Sequence, residues 1–377
     1  MNSRERVLKI LDHHEADRVP VIMCGNHAGI SKIAYDNLCR HLGILDASPT
    51  LVDRVQQIVE PDEHVLKKLG VDFRFIYAKA PRDSRQIEYP DDSFRDEWGI
   101  RFRRPPGGYW YDMVDHPLQE ANLEDLENYK WPDPMDAGRF EDLEKEAKKL
   151  YEETDYALAT SLVGSIYEQS WYLRSYQEFT FDLYRNPAFA EKLMDKILEF
   201  HMAFFDRFLE AVGPYVQIVF VGDDLAEQKG PAIRPAVYRS LIKPRHRKLY
   251  QFIKSKADVK LCYHSCGSVI PFIDDLVEMG VDILTPVQVS AANMDTKRLK
   301  NDFGDRISFL GGIDTQRVMP FGTVDEVGAE VKRRIEDLAL GGGYIIGAVH
   351  NIQPEVPPEN ILAMFNAARK YGKYPSH

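Results

Sequence analysis

The sequence predicts an α/β protein built as a (β/α)8 barrel, a closed ring of eight parallel strands alternating with helices. Two observations carry this. Eight short apolar or β-branched runs are spread along the 377 residues, and amphipathic helical segments fill the intervals between them. A third is that runs such as VQIVFV and YIIGAV are continuously apolar, the pattern of parallel strands buried on both faces.

The predicted strands are Val19–Met23, Val71–Tyr77, Ala157–Ser161, Val216–Val221, Val259–Tyr263, Asp282–Pro286, Ile307–Leu310 and Tyr344–Val349. From Pro187 to Val212, the residues Phe189, Leu193, Ile197, Phe200, Phe204, Phe208 and Val212 recur at three- and four-residue steps, so one face of a long helix is buried. Pro357 and Pro358 precede ENILAMFNAARKY and suit a first helical turn, where a missing N–H costs nothing. One region breaks the alternation. From about Pro81 to Pro134, WGIRFRR and YWYDMV flank Pro-Pro-Gly-Gly and read as a β-hairpin inserted after the second strand. That position puts it among the loops at the catalytic face, as a lid or as a dimer contact. The whole chain, residues 1–377, is read as one barrel domain with this insertion at 81–134.

Composition bounds the function. Apolar residues make up 44% and charged residues 28%, an ordinary globular balance. A net charge of −11 argues against nucleic acid or an anionic membrane as partner, because both need a basic face. No run approaches the roughly 18 apolar residues of a membrane span, and the stretch MNSRERVLKILDHHEADRVP has no apolar core of signal-peptide length. Four cysteines, Cys24, Cys39, Cys262 and Cys266, are too few for a disulfide scaffold. The expected location is cytoplasmic.

The strongest chemical signal is Tyr263-His264-Ser265-Cys266-Gly267, directly after the strand VKLCY. Alternate residues of an extended segment share a face, so His264 and Cys266 point the same way. Imidazole beside thiolate suits zinc, and His350, after the last strand, reaches the same rim of a barrel. Three protein ligands leave a fourth position open, as catalytic zinc requires. Against this stands the plainer possibility of a small buried cysteine and a hydrogen-bonded histidine. Cys262 is read as out of register with the pair and as structural. Other strand ends carry His27, Glu168, the pair Asp223–Asp224, Gln288, Asp314 and Gln316. Asp224, Glu168 and Asp314 are the acidic candidates for catalysis, for a fourth metal ligand or for orienting a ligand. His27, Gln288 and Gln316 are the candidates for cofactor binding. One member of the Asp223–Asp224 pair is expected to cap the helix that follows it.

At these residues the chain resembles the uroporphyrinogen decarboxylase superfamily. The stretches that carry the likeness are SRERVLKILDHHEADRVPV, VGDDLAEQKGPAIRPAVYRSLIKPRHRKLY, YHSCGSVIPFIDDLVEMGVDILTPVQ, FLGGIDTQRVMPFGT and VHNIQPEVPPENILAMF. The resemblance implies a TIM barrel and two chemistries: a metal-free decarboxylase, and corrinoid-dependent methyltransferases whose zinc is held by an H-x-C motif and a later Cys. His264 and Cys266 match that H-x-C; the later ligand falls on His350, a histidine in place of cysteine. The decarboxylase markers are largely missing. Its arginine-rich segment after the first strand is CGNHAGI here, with Ala28 and Gly29 and neither arginine, and its aspartate after the second strand corresponds to about Lys79. Asp72 lies at the opposite end of that strand. The resemblance therefore implies a zinc-dependent methyltransferase working with a corrinoid carried by a partner protein, and a homodimer in which Trp98, Tyr109, Trp110 and Tyr111 supply interface aromatics. The alternatives are a decarboxylase of heme biosynthesis and a non-catalytic barrel that binds a tetrapyrrole or corrinoid.

Overall fold

The computed structural model describes every residue except Arg85, Leu162, Ser376 and His377. Seven parallel strands stand side by side in chain order: Phe73–Ile76, Ala157–Thr160, Ile218–Gly222, Lys260–His264, Ile283–Thr285, Ser308–Ile313 and Tyr344–Ala348. Nearly all their residues are buried, as expected of strands covered by helices outside and side chains within.

The eighth place is filled by the segment around Val21, which was expected to be a full strand and forms only part of a ladder. Val21 makes one parallel bridge to Ile346. The Ile22 N–H donates to the Ile346 carbonyl at 3.0 Å, the Ile346 N–H to the Pro20 carbonyl at 2.9 Å, and on the other side the Asp72 N–H donates to the Val21 carbonyl at 3.0 Å. The segment thus joins both edges and closes the ring. Two ladder donors are missing for identifiable reasons: Pro20 has no N–H, and the Val21 N–H is taken by the Asp72 carboxylate at 2.8 Å.

The long helix spans Pro187–Val212 and starts on its proline; every apolar position named above lies on its buried face. The helix Pro358–Tyr371 follows Pro357 as its cap. Among the described residues no helix is long and apolar enough to cross a membrane.

The insertion is larger than a hairpin. Arg101–Arg103 pairs antiparallel with Asp112–Asp115, and two further strands, Ile87–Tyr89 and Ser93–Arg95, extend them to a four-stranded sheet. Trp98 and Tyr111, expected as interface aromatics, are buried in the chain's own core, whereas Tyr109 and Trp110 are exposed. A second small sheet, Ile30–Ser31, Ile58–Glu60 and Thr50–Asp53, is added between the first two barrel positions. Arg54 links the two sheets, bonding both oxygens of Glu88 at 2.5 and 2.8 Å and stacking 3.9 Å over the Phe94 ring.

Candidate metal centre

His264 is the last residue of its strand, in register with Gly222 on one side and Thr285 on the other. Gly222 permits that closeness: a Cβ there would stand 2.4 Å from the His264 carbonyl oxygen and 2.8 Å from the His264 Cβ. Two residues on, Cys266 is followed by Gly267 at φ +88°, where a side chain would collide with the Ala226 backbone. The tight turn returns the chain immediately after it has presented its two donors.

His264 Nε2 and Cys266 Sγ lie 3.6 Å apart. Bond lengths of about 2.0 and 2.3 Å at a tetrahedral angle place nitrogen and sulfur about 3.5 Å apart on one zinc ion, so the pair is already at ligand spacing. His350 completes a set in which one donor atom from each residue lies within 4.8 Å of the others. His27 stands against them, its ring 4.5 Å from that of His264 and 5.8 Å from that of His350. The Nδ1 atoms of His27 and His264 are buried with no hydrogen-bond partner.

Burial keeps this group of imidazoles neutral. It lowers His350 to about 4 and His27 to about 3, and holds His264 well below its ordinary range; the ring lone pairs are therefore free to ligate. The Cys266 thiol is pushed up, first by burial and then by the carboxyls of Asp224 and Glu168. Asp224 is raised to about 6 by burial, and Glu168 well above the usual carboxyl range by burial and by Asp224 and Asp223. Acids and a thiol crowded without a cation would each be relieved by a divalent ion.

Asp224 accepts the Cys266 N–H at 2.6 Å, and the same oxygen is 3.9 Å from His264 Nε2. Glu168 accepts from the Tyr172 hydroxyl at 3.1 Å. His27, Glu168, Asp224, His264 and His350 line one cavity of ≈ 360 Å³. Asp223 is the member of the acidic pair that caps: it accepts the N–H groups of Ile166, Tyr167 and Glu168 at 2.9, 3.0 and 2.7 Å. The helix it caps, Tyr167–Arg174, belongs to the preceding loop, not the following one.

The remaining candidates lie outside this cavity. Asp314 accepts the Gln316 N–H at 2.8 Å in a local turn. Gln288 accepts the Gly267 N–H at 2.7 Å and donates to Gln228 at 2.9 Å, bracing the loop behind Cys266. Gln316 is exposed and reaches the same Gln228 oxygen at 3.4 Å. Cys262 needs a correction. Residues 262, 264 and 266 alternate in phase, and Tyr263 between them faces the Lys243–Lys256 helix, its ring 6.0 Å from that of His246 and 6.1 Å from that of Tyr250. Cys262 thus shares the inward face with His264 but sits two residues deeper, fully buried between Phe220 and Ile283.

Tyr172, Asp53 and Gln56 also line the cavity and were not anticipated, and Phe102 and Met113 line it from the insertion expected at this face. Asp53 and Gln56 come from the small added sheet and its turn, Phe102 and Met113 from the insertion. No pattern in the sequence marked Asp53 and Gln56, because the added sheet is not a barrel strand end.

Comparison with known proteins agrees with this architecture. Among solved structures, a methyltransferase from Methanosarcina mazei superposes with a TM-score of 0.66 at 19% identity, covering 98% of this chain and 99% of that one. A uroporphyrinogen decarboxylase from Alkalilimnicola ehrlichii is 22% identical over 379 residues, covering 97% of this chain and 93% of its own. A methylated-thiol–coenzyme M methyltransferase from Methanosarcina mazei is 25% identical over 185 residues, 49% of this chain and 46% of that protein. The uroporphyrinogen decarboxylase (URO-D) family pattern matches residues 99–371, the part that carries six of the seven sheet strands and all three donors. The chain is a member of the uroporphyrinogen decarboxylase family, whose relatives include both decarboxylases and a methyltransferase.

Proposed function

We propose that the protein is a zinc-dependent methyltransferase that moves a methyl group between a small donor or thiol and a corrinoid carried by a partner protein. The observation that carries this reading is the convergence of His264, Cys266 and His350 within 4.8 Å at the barrel mouth. Imidazole and thiolate favour zinc over magnesium or calcium, which prefer oxygen. Zinc held there supplies a Lewis acid of net charge about +1 for an oxygen or sulfur of the substrate.

The chain's own residues do the rest. Asp224 fixes the Cys266 backbone and is the nearest carboxylate for a fourth ligand. Glu168, held by Tyr172, faces the same space and can hold or release a proton beside the reacting atoms. Phe102 and Met113 from the insertion line the cavity and add apolar surface beside the donors. A porphyrinogen substrate with many carboxylates fits less well: Ala28 and Gly29 offer no cation, and Lys79 is paired with Glu146 at 2.7 Å.

Metal analysis tests the reading. Protein loaded with zinc and freed of excess should hold one equivalent, and Cys266→Ala should weaken binding by a hundredfold or more, since groups outside the ligand shell alone are worth about 10–100-fold. Methyl transfer to or from free cobalamin, followed by its visible spectrum, should vanish on chelation and return with zinc. Decarboxylation of a porphyrinogen that survives chelation, or a wild-type protein that holds no zinc, overturns it.

A further inference from the structure

The loop after the first barrel position, Cys24-Gly25-Asn26-His27-Ala28-Gly29, is built around one histidine. Gly25 sits at φ +82°, where a Cβ would stand 2.5 Å from the Phe75 ring, and a Cβ on Gly29 would stand 2.3 Å from the Gly25 carbonyl oxygen. The loop therefore closes tightly on either side of His27. The Asn351 side chain clamps it there. Its amide nitrogen donates to the Asn26 carbonyl at 2.8 Å, and its oxygen accepts the Gly29 N–H at 2.9 Å. Asn351 is fully buried and directly follows His350. The Ile352 N–H adds a bond to the Gly29 carbonyl at 2.9 Å. One short segment thus presents His350 and fixes the backbone that presents His27.

The three imidazole rings stand at the spacing of a shared ion. Imidazoles on one zinc at about 2.0–2.1 Å and a tetrahedral angle hold their ring centroids about 5.2 Å apart. Here the centroids are 4.5 Å apart for His27 and His264, 5.6 Å for His264 and His350, and 5.8 Å for His27 and His350. All three line one cavity. His27 is not among the three donors within 4.8 Å of one another, so its ring has to turn toward the ion. Its Nδ1 is buried without a partner, and no bond at that atom resists the turn. The competing Asp224 oxygen, 3.9 Å from His264 Nε2, already accepts the Cys266 N–H at 2.6 Å.

We infer that His27 is the fourth protein ligand of the metal centre, completing a shell of three imidazole nitrogens and one thiolate with His264, Cys266 and His350. The inference rests on the zinc site of the proposed function and not on its reaction. Four protein donors fill a tetrahedral shell before substrate arrives. His264 ends a strand, Cys266 is braced by Asp224, and His350 follows the last strand. His27 comes from a loop whose backbone is fixed and whose ring is not, so it is the donor that a substrate's oxygen or sulfur replaces.

The test is zinc K-edge X-ray absorption on the full-length, zinc-loaded protein, where outer-shell scattering counts the bound imidazoles. Wild type should show three imidazoles and one sulfur. His27→Ala should show two imidazoles with an oxygen in the third's place. It should also lose zinc to a chelator about tenfold more readily or worse, the lower bound even for a partner outside the ligand shell. 2-Mercaptoethanol added to wild type should lower the imidazole count to two and raise the sulfur count to two. Two imidazoles in substrate-free wild type, or an unchanged count in His27→Ala, overturns the inference; the wild-type count decides even where the variant fails to fold. A second sulfur gained with all three imidazoles retained overturns the exchange at His27. The two readings fail separately. Three imidazoles in a protein that transfers no methyl group remove the methyltransferase and keep the ligand. Methyl transfer by a centre with two imidazoles does the reverse.

Discussion

Asp223 accepts four hydrogen bonds, three from the start of the Tyr167–Arg174 helix and one from His246 Nε2 at 2.7 Å. It is fully buried, so removing it strands four donors where water cannot reach. Asp223→Ala should cost about 3–5 kcal/mol in urea unfolding, and because that helix carries Glu168, Gln169 and Tyr172, ligand binding should weaken in parallel. Glu60 makes a pH-dependent contribution of opposite kind. Burial raises its carboxyl from 4.5 to about 7, against the bonds from Tyr77 and the Gly25 N–H that favour ionisation. Between those values the folded chain holds a proton that the unfolded chain has lost, so stability falls as pH rises from about 4.5 to 7 and stays lowered above. Glu60→Gln should abolish this slope and gain up to about 3 kcal/mol at pH 8, with little change at pH 4; equal differences at both pH values would contradict it. At this scale the sequence disclosed His264 and Cys266 because period-two alternation forces neighbours on a strand end to share a face. It did not separate ligand from brace at Gln288, since an amide that bonds the Gly267 N–H and one that bonds a cofactor look alike in sequence.

Among the elements, the insertion and the helix after the third strand are tied chiefly by Arg174, beside the Leu118 N–H, which donates to the Leu173 carbonyl at 2.9 Å, and His116 Nδ1, 2.7 Å from the Tyr172 carbonyl. Arg174 donates to the carbonyls of Leu118, Gln119 and Ala121 at 2.7, 2.7 and 2.9 Å and to Asp182 at 2.8 Å. It is buried, and one guanidinium nitrogen serves all three carbonyls. Arg174→Met should free the segment at 117–122. Limited proteolysis there should accelerate at least tenfold, with stability lower by about 2–4 kcal/mol; unchanged cutting would show that the segment is held elsewhere. The barrel strands were legible because burial on both faces leaves continuous apolar runs, and the long helix because its apolar period is 3.6 residues. The insertion's outer strands were not. Ile87–Tyr89 and Ser93–Arg95 are three residues each, too short for alternation to show, and they are held by Arg54 stacking that no local pattern announces. The first barrel position was legible as apolar yet misjudged in regularity, because Pro20 and the Asp72 carboxylate remove donors a regular ladder would use.

For the whole molecule, the far end of the barrel is drawn together by Asp72. Its fully buried carboxylate accepts from Ser3 Oγ at 2.7 Å, Arg6 at 2.7 Å, Arg18 twice at 2.8 Å and the Val21 N–H at 2.8 Å. One side chain fixes the first helix and the closing segment to the second barrel position. Asp72→Asn leaves two guanidinium groups without their shared anion and should cost about 3–5 kcal/mol, with the metal site, at the opposite end, still loading one zinc in the folded fraction. Unfolding should remain one cooperative transition by fluorescence and circular dichroism, since we read the chain as one barrel; two separated transitions would contradict that.

The meeting of Val21 with Ile346 has a consequence for how the chain is made. Emerging from the ribosome, each new strand covers the edge left by the last, but the starting edge waits until the strand Tyr344–Ala348 exists. A waiting edge is where another chain can add a strand and seed aggregation. Here that edge offers the Ile22 N–H and the Pro20 carbonyl, while Pro20 has no N–H to give. The irregularity that makes the first strand a poor ladder also makes it a poor template, so the half-made barrel is guarded at the one seam it cannot yet close.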